Sequence, residues 1–320
     1  STATYRAGTS DDIMRKGMPR LQNHFLGIEF KNPFIAGAGA SGYDIRHVDW
    51  TDPNLWGGIS LKGLTLHAQV GHPYPRMHKL PYGLINGIGL NNPGWSSFLN
   101  YYGHHLHHLT TNLIINLNAK SEDELIQLVQ QVSKHHQFKL LEVNLSCPNV
   151  ESGGLEWGYD PQQVGRIVRK IKGVLTRQKL IVKLNGVLIN LVVVARAAER
   201  AGADAISLIN SVPAMLIDSE QMRPVLGSKF GGLSGPAIKP IALRAVYKVF
   251  EAVSIPIIGM GGIANAQDVV EFLLAGASMV ELGTVLWQRP GSLGKIIFDF
   301  NHYLEQKNVK NWQDLIGQAH

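Results

Sequence analysis

Cysteine is nearly absent from this chain of 320 residues, which has one, Cys147. A single cysteine excludes a disulfide within the chain and is typical of a reducing compartment. It also excludes an iron–sulfur cluster held by this chain alone, because such clusters usually need four ligands. Two roles remain open for Cys147: a buried structural thiol, the usual role of a lone free cysteine, or a reactive one.

Long apolar runs and blocks of like charge are also missing. No run of about 18 apolar residues occurs, so no transmembrane helix is expected, and the polar residues 1–23 lack the apolar stretch of a secretory signal. The net charge of +6 is spread along the chain, without the basic block typical of nucleic-acid binding. We therefore expect a cytoplasmic protein with no membrane or nucleic-acid partner, whose mild positive charge favours anionic ligands.

Eight short apolar runs recur along the chain, and most are followed by a turn and an amphipathic helical pattern. The runs are Phe34–Gly37, Gly58–Lys62, Leu113–Leu117, Leu140–Leu145, Leu180–Leu184, Ala205–Asn210, Pro256–Met260 and Met279–Gly283. Because they are apolar throughout rather than alternating, they predict parallel strands buried on both faces. Eight strand–helix units in succession predict an α/β fold, a (β/α)8 TIM barrel with a parallel eight-stranded core.

Capping signals mark the ends of the predicted helices. Ser121 and Glu124 form a capping box, and Asp160 stands before a proline at the first helical position. Gly202 and Gly276 stand where C-terminal caps belong. The predicted helices are Ser121–His136, Pro161–Leu175, Leu191–Ala201, Pro236–Val253 and Ala266–Ala275.

The domain organisation predicted is simple. Residues 25–320 form one barrel domain, preceded by an unassigned N-terminal extension, residues 1–24. Residues 65–110 form an insertion after the second strand, and long insertions on that face of a barrel usually carry function.

Polar side chains close five of the predicted strands: Lys62, Asn116, Asn144, Lys183 and Asn210. Each alone has a structural explanation, as a lysine that reaches the surface or as a helix cap. Burying such groups without partners is costly, however, and barrel enzymes carry their active sites at the C-terminal ends of the strands. Five of them at such ends predict a functional site there.

Glycines after the last two strands predict a phosphate site. Gly261 and Gly262 follow the seventh strand and open a helix, and Gly283 and Thr284 follow the eighth. Backbone N–H groups in these two loops of a barrel are where phosphates bind. The spacing Gly259–Ala264 also imitates a dinucleotide-binding fingerprint, but it comes at the end of a long βα series rather than at the start of a Rossmann half.

The segment Asn144–Asn149 is the most specific feature. It leaves the fourth strand with a thiol, flanked by two carboxamides and stiffened by Pro148, and Gly153 with Gly154 could let the loop move as a lid. Because Cys147 stands in a polar loop at the functional face and not in an apolar run, a reactive role is favoured.

Four stretches resemble motifs of the dihydroorotate dehydrogenases of the soluble class 1, and most of all the catalytic subunit of the heteromeric NAD-linked (1B) subclass. They are Gly83–Gly94, Asn144–Val150, Gly231–Pro240 and Ile257–Asp268. The resemblance runs from about Leu26 to the C-terminal region. It implies FMN as the cofactor, oxidation of (S)-dihydroorotate to orotate in pyrimidine biosynthesis, and a homodimer. It also implies a partner subunit with FAD and an iron–sulfur cluster that passes electrons to NAD.

The resemblance implies a role for each candidate residue. Cys147 would remove a proton from C5 of dihydroorotate, while C6 delivers a hydride to N5 of FMN. The FMN-binding residues would be Gly37, Ala38, Gly39, Lys62, Asn116, Asn144, Lys183, Gly235, Gly261, Gly262, Gly283 and Thr284. The substrate-binding residues would be Lys62, Asn86, Ile88, Gly89, Leu90, Asn144, Asn149, Asn210 and Ser211. Lys62 and Lys183 would face the isoalloxazine ring, where a cation stabilises the anionic reduced flavin.

Two stretches depart from the family pattern beside the expected flavin site. Asn185–Val187 replaces a Ser/Pro-Pro-like sequence, and Leu117–Lys120 replaces a Val-Ala-Gly turn that is apparently one residue shorter. Two other functions stay open: another flavin-dependent dihydropyrimidine oxidoreductase, against which Asn149 argues, and a non-catalytic flavin-binding subunit, against which the intact Cys147 argues. The electron acceptor is open too, with fumarate as an alternative to NAD. The His104–His108 cluster lacks the companions of a metal site, so no metal is expected.

Overall fold

The computed structural model describes residues 21–43, 52–106, 109–146 and 157–320. Eight parallel strands close into a barrel in which each strand pairs with the next and the eighth with the first. They are β1 (Phe34–Ala36), β2 (Gly58–Ser60), β3 (Asn112–Leu117), β4 (Leu140–Asn144), β5 (Lys179–Lys183), β6 (Ala205–Leu208), β7 (Ile257–Met260) and β8 (Met279–Leu282). The TIM barrel and all eight predicted strands are confirmed, with ends that shift by one or two residues.

From β2 onwards, α-helices lie between the barrel strands in the described ranges. The helices are α1 (Trp95–Leu106), α2 (Glu122–Ser133), α3 (Pro161–Val174), α4 (Leu191–Arg200), α5 (Lys239–Phe250), α6 (Ala266–Leu274), α7 (Thr284–Gln288) and α8 (Ser292–Gln306). The predicted caps are present: Ser121 Oγ accepts from the Glu124 N–H at 3.2 Å, and Asp160 Oδ1 accepts from the Gln162 N–H at 2.9 Å. None of these helices is long and apolar enough to cross a lipid bilayer.

Two predicted helices need correction, and the first, predicted as Ser121–His136, ends at Ser133. The segment predicted as helix Pro236–Val253 begins with a 3-10 turn, Pro236–Ile238, and the α-helix starts only at Lys239 and ends at Phe250. Pro240 explains the late start, because in a regular α-helix its ring would clash with the carbonyl of the residue four positions earlier.

An apolar layer fills the N-terminal end of the barrel. A hairpin formed by Asn23–Phe25 and Ile28–Phe30 covers this end. The buried cluster consists of Phe25, Phe30, Ile35, Ile114, Leu140, Ile181, Ala205, Ile258, Met260 and Met279. Side chains of a strand alternate between its two faces, so the next inward position on each strand lies one layer closer to the C-terminal end. On β3, β4, β5, β6 and β8 those positions are polar.

A second sheet is built from the segments that follow β2 and β6. Its four antiparallel strands are ordered Val212–Met215, Phe230–Ser234, Gly83–Asn86 and Met77–Leu80. Both segments leave the barrel at the C-terminal ends of their strands. The sheet therefore lies on the side of the barrel where the polar residues are found.

Candidate active site

A buried polar layer lies inside the barrel directly above the apolar layer. Lys183 Nζ lies 3.4 Å from Glu142 Oε1 and 3.5 Å from Glu281 Oε1, so one ammonium group is shared by two carboxylates. Asn116 Nδ2 donates to Glu142 Oε1 at 2.5 Å, and Ser207 Oγ donates to Glu142 Oε2 at 2.7 Å. Lys183 on β5 and Glu281 on β8 are not on neighbouring strands, so their contact crosses the barrel interior.

Burial and charge set the protonation of this layer. Burial alone would lower the pKa of Lys183, but the charges and hydrogen bonds of Glu142 and Glu281 outweigh it, and the pKa is raised. Lys183 therefore stays a cation. Burial also raises the pKa of Glu281 to about 7, since the attraction of Lys183 only partly offsets burial and Glu142 adds a repulsive charge.

A chain of side-chain amides extends from this layer to the mouth of the barrel. Asn118 Nδ2 donates to Asn116 Oδ1 at 2.8 Å, and Asn144 Nδ2 donates to Asn118 Oδ1 at 2.9 Å. Asn210 Nδ2 lies 3.4 Å from Asn144 Oδ1. Because a carboxamide carries both donors and an acceptor, each member can bond its neighbours and still offer a group to a ligand. The structure thus brings together the predicted residues Asn116, Asn144 and Asn210.

The loop that leads to Cys147 is held at its stem. The N–H and Oγ of Ser146 donate to Asn144 Oδ1 at 3.2 and 2.6 Å, and Ser146 Oγ accepts from Asn210 Nδ2 at 2.8 Å. The Ser211 N–H donates to Asn210 Oδ1 at 2.8 Å, which orients that side chain. Cys147 and Asn149 themselves lie outside the described residues. The residue before the thiol is therefore fixed by the same amides that line the mouth.

The turns after β1 and β8 leave open space at the mouth. The Gly37 N–H donates to Leu282 O at 2.7 Å, and the Ala38 N–H donates to Glu281 Oε1 at 3.1 Å. A Cβ built on Gly39 or on Gly283 would meet no atom within 4 Å. Two of the glycines predicted to bind the cofactor therefore border a space and not a packed neighbour.

Gly262, one of the predicted phosphate-binding residues, lies close to Gly235. Gly262 has a φ of 81°, and a Cβ on it would lie 2.7 Å from Gly235 O. Gly235 in turn faces Thr284, whose Cγ2 would be 3.2 Å from a Cβ on Gly235. Thr284 Oγ1 donates to Ser234 Oγ at 2.8 Å. The loops after β6, β7 and β8 thus approach each other closely only because no side chain stands between them.

Lys62 is half-buried beside an aromatic ring. Its Nζ lies 5.9 Å from the ring centroid of Tyr43, and Tyr43 Oη donates to Gly63 O at 2.8 Å. Burial lowers the pKa of Lys62, and the nearby charge of Arg76 lowers it further. Within the described residues Lys62 forms no ion pair with a carboxylate, so this site carries a cation that an anionic ligand would stabilise.

The turn Ile88–Leu90 is fixed from behind by Asn92. The Oδ1 of Asn92 accepts from the N–H groups of Thr65 and Gly94 at 3.2 and 2.9 Å, and its Nδ2 donates to Leu90 O at 2.6 Å. Asn86 lies in the outer sheet and its Nδ2 is 3.4 Å from Gly232 O. The remaining predicted substrate residues thus sit in the segment after β2.

Several residues of the polar layer were not among those predicted from the sequence: Asn118, Glu142, Ser146, Ser207 and Glu281. A signal for two of them was present. Glu142 and Glu281 each interrupt an apolar run that was predicted to be buried on both faces, and a charge in such a run needs an ionic partner. Lys183 is the partner of both.

The histidine cluster gives no metal site in the described part of the chain. His104 is exposed on α1, and His107 and His108 lie outside the described residues. No group of three or more His, Cys, Asp and Glu side chains that could hold a metal ion occurs in the ranges described.

The comparisons with known proteins identify the family of this chain. The family model "Dihydroorotate dehydrogenase" matches residues 20–304. The chain is 43% identical over 297 residues to a protein of Caldicellulosiruptor bescii, covering 93% of this chain and 98% of that one. It is 39% identical over 303 residues to a protein of Brachyspira hyodysenteriae, covering 95% and 100%. Both relatives are named dihydroorotate dehydrogenase B (NAD(+)), catalytic subunit.

A solved structure supports the fold. The structure of DHODH from Eimeria tenella in complex with ferulenol superposes with a TM-score of 0.80 at 22% identity, covering 96% of this chain and 90% of that one. The sequence relatives confirm the predicted resemblance to the catalytic subunit of the NAD-linked subclass. The chain belongs to the dihydroorotate dehydrogenase family, a family of oxidoreductase enzymes.

Proposed function

We propose that this protein is the catalytic subunit of an NAD-linked dihydroorotate dehydrogenase, which oxidises (S)-dihydroorotate to orotate for cytoplasmic pyrimidine biosynthesis. One observation supports this above the others. The mouth of the barrel combines a chain of side-chain amides with the buried cation Lys183 and the half-buried cation Lys62. Amides suit a pyrimidine ring, and cations suit an anionic substrate and an anionic reduced cofactor.

The residues present fit FMN as the cofactor. A ring system has room beside Gly39 and Gly283, where added side-chain atoms would meet nothing within 4 Å. Glu281 Oε2 is buried without a hydrogen-bond donor among the described residues, as expected where a ligand completes the site. When bound, FMN supplies the hydride acceptor that amino-acid side chains lack. Its phosphate would be held by Gly235, Gly261, Gly262, Gly283 and Thr284, and its ring and ribityl chain by Gly37, Ala38, Gly39, Lys62, Asn116, Asn144 and Lys183.

The substrate would be held by the amides and by the segment after β2. Asn86, Asn144, Asn149 and Asn210 would bind the amide groups of the dihydropyrimidine. The backbone of Ile88, Gly89 and Leu90, together with Lys62, would bind its carboxylate. Ser211 supports this set because its N–H fixes the orientation of Asn210.

Cys147 would act as the base that takes the proton from C5. Only the thiolate can do this, and a cysteine with its ordinary pKa of about 8.5 is mostly protonated at neutral pH. The rate should therefore rise with pH until the thiolate predominates. Ser146 would position Cys147, since its hydrogen bonds to Asn144 and Asn210 fix the backbone immediately before the thiol.

Electrons would leave through a partner. The relatives are named catalytic subunits, and we propose that this chain likewise forms a homodimer that binds a subunit carrying FAD and an iron–sulfur cluster, with NAD as the final acceptor. The single cysteine of this chain cannot hold an iron–sulfur cluster, so such a cluster would have to be carried by a separate subunit.

The first test is an anaerobic mixture of the purified, FMN-loaded protein with dihydroorotate. We expect the flavin absorbance near 450 nm to bleach within the time of mixing and orotate to form in equal amount. A loaded protein that stays yellow with dihydroorotate but bleaches with dihydrouracil would instead support the other dihydropyrimidine reaction. A protein that stays yellow with both would be a non-catalytic flavin-binding subunit.

A second test addresses the cofactor site through its glycines. We expect Gly39→Ala and Gly283→Ala to leave the melting temperature of the FMN-free protein unchanged within error, because the new methyl groups enter open space. The same substitutions should weaken FMN binding at least tenfold, since the methyl groups occupy the space proposed for the cofactor.

Gly173→Ala is the matched control for these variants. Gly173 lies in α3, and a Cβ on it also meets nothing within 4 Å. Alanine there should raise stability by up to about 1 kcal/mol through helix propensity and leave FMN affinity unchanged. FMN affinity is measured by fluorescence titration. Equal affinity in all three variants would contradict the placement of the cofactor beside Gly39 and Gly283.

A further inference from the structure

The buried layer around Lys183 contains more acidic side chains than basic ones. Glu142 is fully buried and Glu281 is 4% exposed, while Lys183 is the one cation within contact of both in the described structure. Both oxygens of Glu142 accept hydrogen bonds, from Asn116 and Ser207. Glu281 Oε1 accepts from the Ala38 N–H, but Oε2 has no donor within the described residues. Glu281 is thus the carboxylate whose charge is less well solvated.

The surroundings of Glu281 contain few other titratable groups. In the barrel its flanking partners are Met260 on β7 and Ile35 on β1, and neither strand carries an ionisable side chain. From across the barrel, Lys183 on β5 and Glu142 on β4 act on it. The charge of Glu281 is therefore governed by those two groups and by whatever binds at the mouth beside Gly37 and Ala38.

We propose that Glu281 takes up one proton from water when the bound flavin is reduced, so that the total charge of the buried layer and cofactor stays constant. This inference rests on the proposed function, in which FMN binds next to the Gly37 and Ala38 turn. A hydride from C6 carries two electrons and one proton and adds one negative charge to the cofactor. The proton that converts the Glu281 carboxylate to the neutral acid cancels that charge, and the C5 proton goes separately to Cys147.

The pKa of Glu281 suits this role. Without a ligand, burial raises its pKa to about 7. A new negative charge nearby raises the pKa of a carboxyl group further. At pH 8 the group is then largely ionised before reduction and protonated after it, whereas at pH 7 only about half of it is ionised before reduction. Below pH 6 Glu281 is protonated in both states and therefore takes up no proton when the flavin is reduced.

The test is the midpoint potential of the bound FMN as a function of pH, without substrate, in the wild type and in Glu281→Gln. For a two-electron couple, each proton taken up changes the potential by about 30 mV per pH unit. The flavin itself takes up one proton on reduction, so between pH 7.5 and 8.5 we expect about 60 mV per pH unit in the wild type and about 30 mV in Glu281→Gln. Glutamine keeps the oxygen that accepts from Ala38 but cannot ionise. If the variant binds FMN poorly, the wild type alone tests the proposal. A wild-type slope of about 30 mV per pH unit in that range would overturn it.

Two further measurements separate this proposal from its alternatives. Asp204→Asn removes a carboxylate paired with Lys172 at 2.7 Å, at the opposite end of β5 and β6, and should keep the wild-type slope. If Glu281 only accepts a hydrogen bond from the cofactor, Glu281→Gln will bind FMN more weakly with an unchanged slope, which contradicts proton uptake. If the FMN-loaded wild type is not bleached by dihydroorotate, the proposed function is rejected. The slopes of midpoint potential against pH, measured without substrate, are not affected by that outcome.

The FMN-free protein gives an independent check of the titration. A carboxyl group with a pKa raised above its unfolded value near 4.5 stabilises the fold most at low pH, and that contribution is lost as the pH rises through about 7. The melting temperature of Glu281→Gln relative to the wild type should therefore increase between pH 5 and 7 and level off by pH 8. A constant difference over this range would show that Glu281 does not titrate there and would overturn the proposal.

Discussion

Replacing Cys147 with serine is expected to lower the rate of flavin bleaching by dihydroorotate at pH 7 by a factor of about 10² to 10⁴, the usual contribution of a general base. FMN affinity should stay within twofold of the wild type. The reason is the difference in acidity between the two side chains. A small fraction of a cysteine with a pKa of about 8.5 is thiolate at pH 7, whereas a serine hydroxyl is essentially never ionised without a strong base beside it.

The pH dependence distinguishes a lost base from a disturbed loop. In the wild type the bleaching rate should rise about tenfold per pH unit below the thiol pKa and then level off. In Cys147→Ser it should keep rising through pH 9 without a plateau. Ser146→Ala is the matched loop control: it removes the two hydrogen bonds of the hydroxyl, one to Asn144 and one from Asn210, and should lower the rate while keeping the plateau of the wild type. A near-normal bleaching rate in Cys147→Ser would show that Cys147 is not the base.

The barrel could be predicted from the sequence because its strands are encoded locally. Each apolar run is short, is bounded by turn residues and is buried on both faces, so its pattern needs no knowledge of distant residues. The polar residues at the strand ends could be predicted for the same reason. Lysine and asparagine at the ends of such runs, as at Asn116 and Lys183, stand out against their apolar neighbours.

The outer sheet could not be predicted in the same way. Met77–Leu80 is largely exposed and has no apolar face, and Phe230–Ser234 contains two glycines, so neither segment has the pattern of a buried strand. Phe230–Ser234 pairs with Gly83–Asn86, about 150 positions away in the chain, as with Ser234 and Leu84. Such pairing depends on the barrel bringing the segments after β2 and β6 to one face, which local patterns do not contain.

The departures from the family pattern acquire a physical meaning in the structure. Asn118, in the turn that is apparently one residue longer, bridges Asn116 and Asn144 and so completes the amide chain. Asn185 is buried and accepts a hydrogen bond from the Val187 N–H at 3.1 Å, which fixes the turn after β5. Neither role follows from the sequence, because both depend on which strand ends meet at the mouth.

Replacing Lys183 with methionine is expected to have the largest effect on stability. Methionine preserves the length and apolar stem of the side chain but leaves Glu142 and Glu281 without a cation in a buried layer. Removing one partner of a buried ion pair typically costs 3–5 kcal/mol, because the remaining charge stays desolvated. We expect a loss of about this size in the free energy of unfolding of the FMN-free protein at pH 8, measured by urea denaturation.

The loss should depend on pH and on the second carboxylate. Glu281, whose pKa is raised to about 7, becomes protonated as the pH falls, so the destabilisation by Lys183→Met should shrink towards pH 5. Adding Glu281→Gln removes one of the two buried charges and should recover part of the stability at pH 8, which a double-mutant cycle would detect as a coupling. Lys172→Met is the control, since the Lys172–Asp204 pair is partly exposed and should contribute no more than about 1 kcal/mol.

The redox potential then separates a structural lysine from one that acts on the cofactor. If Lys183 stabilises the negative charge of the reduced flavin, Lys183→Met that has been loaded with FMN will have a lower midpoint potential than the wild type at every pH. A purely structural lysine would leave the potential unchanged while stability falls. Full stability of Lys183→Met at pH 8 would contradict the ion pairs of Lys183 with Glu142 and Glu281.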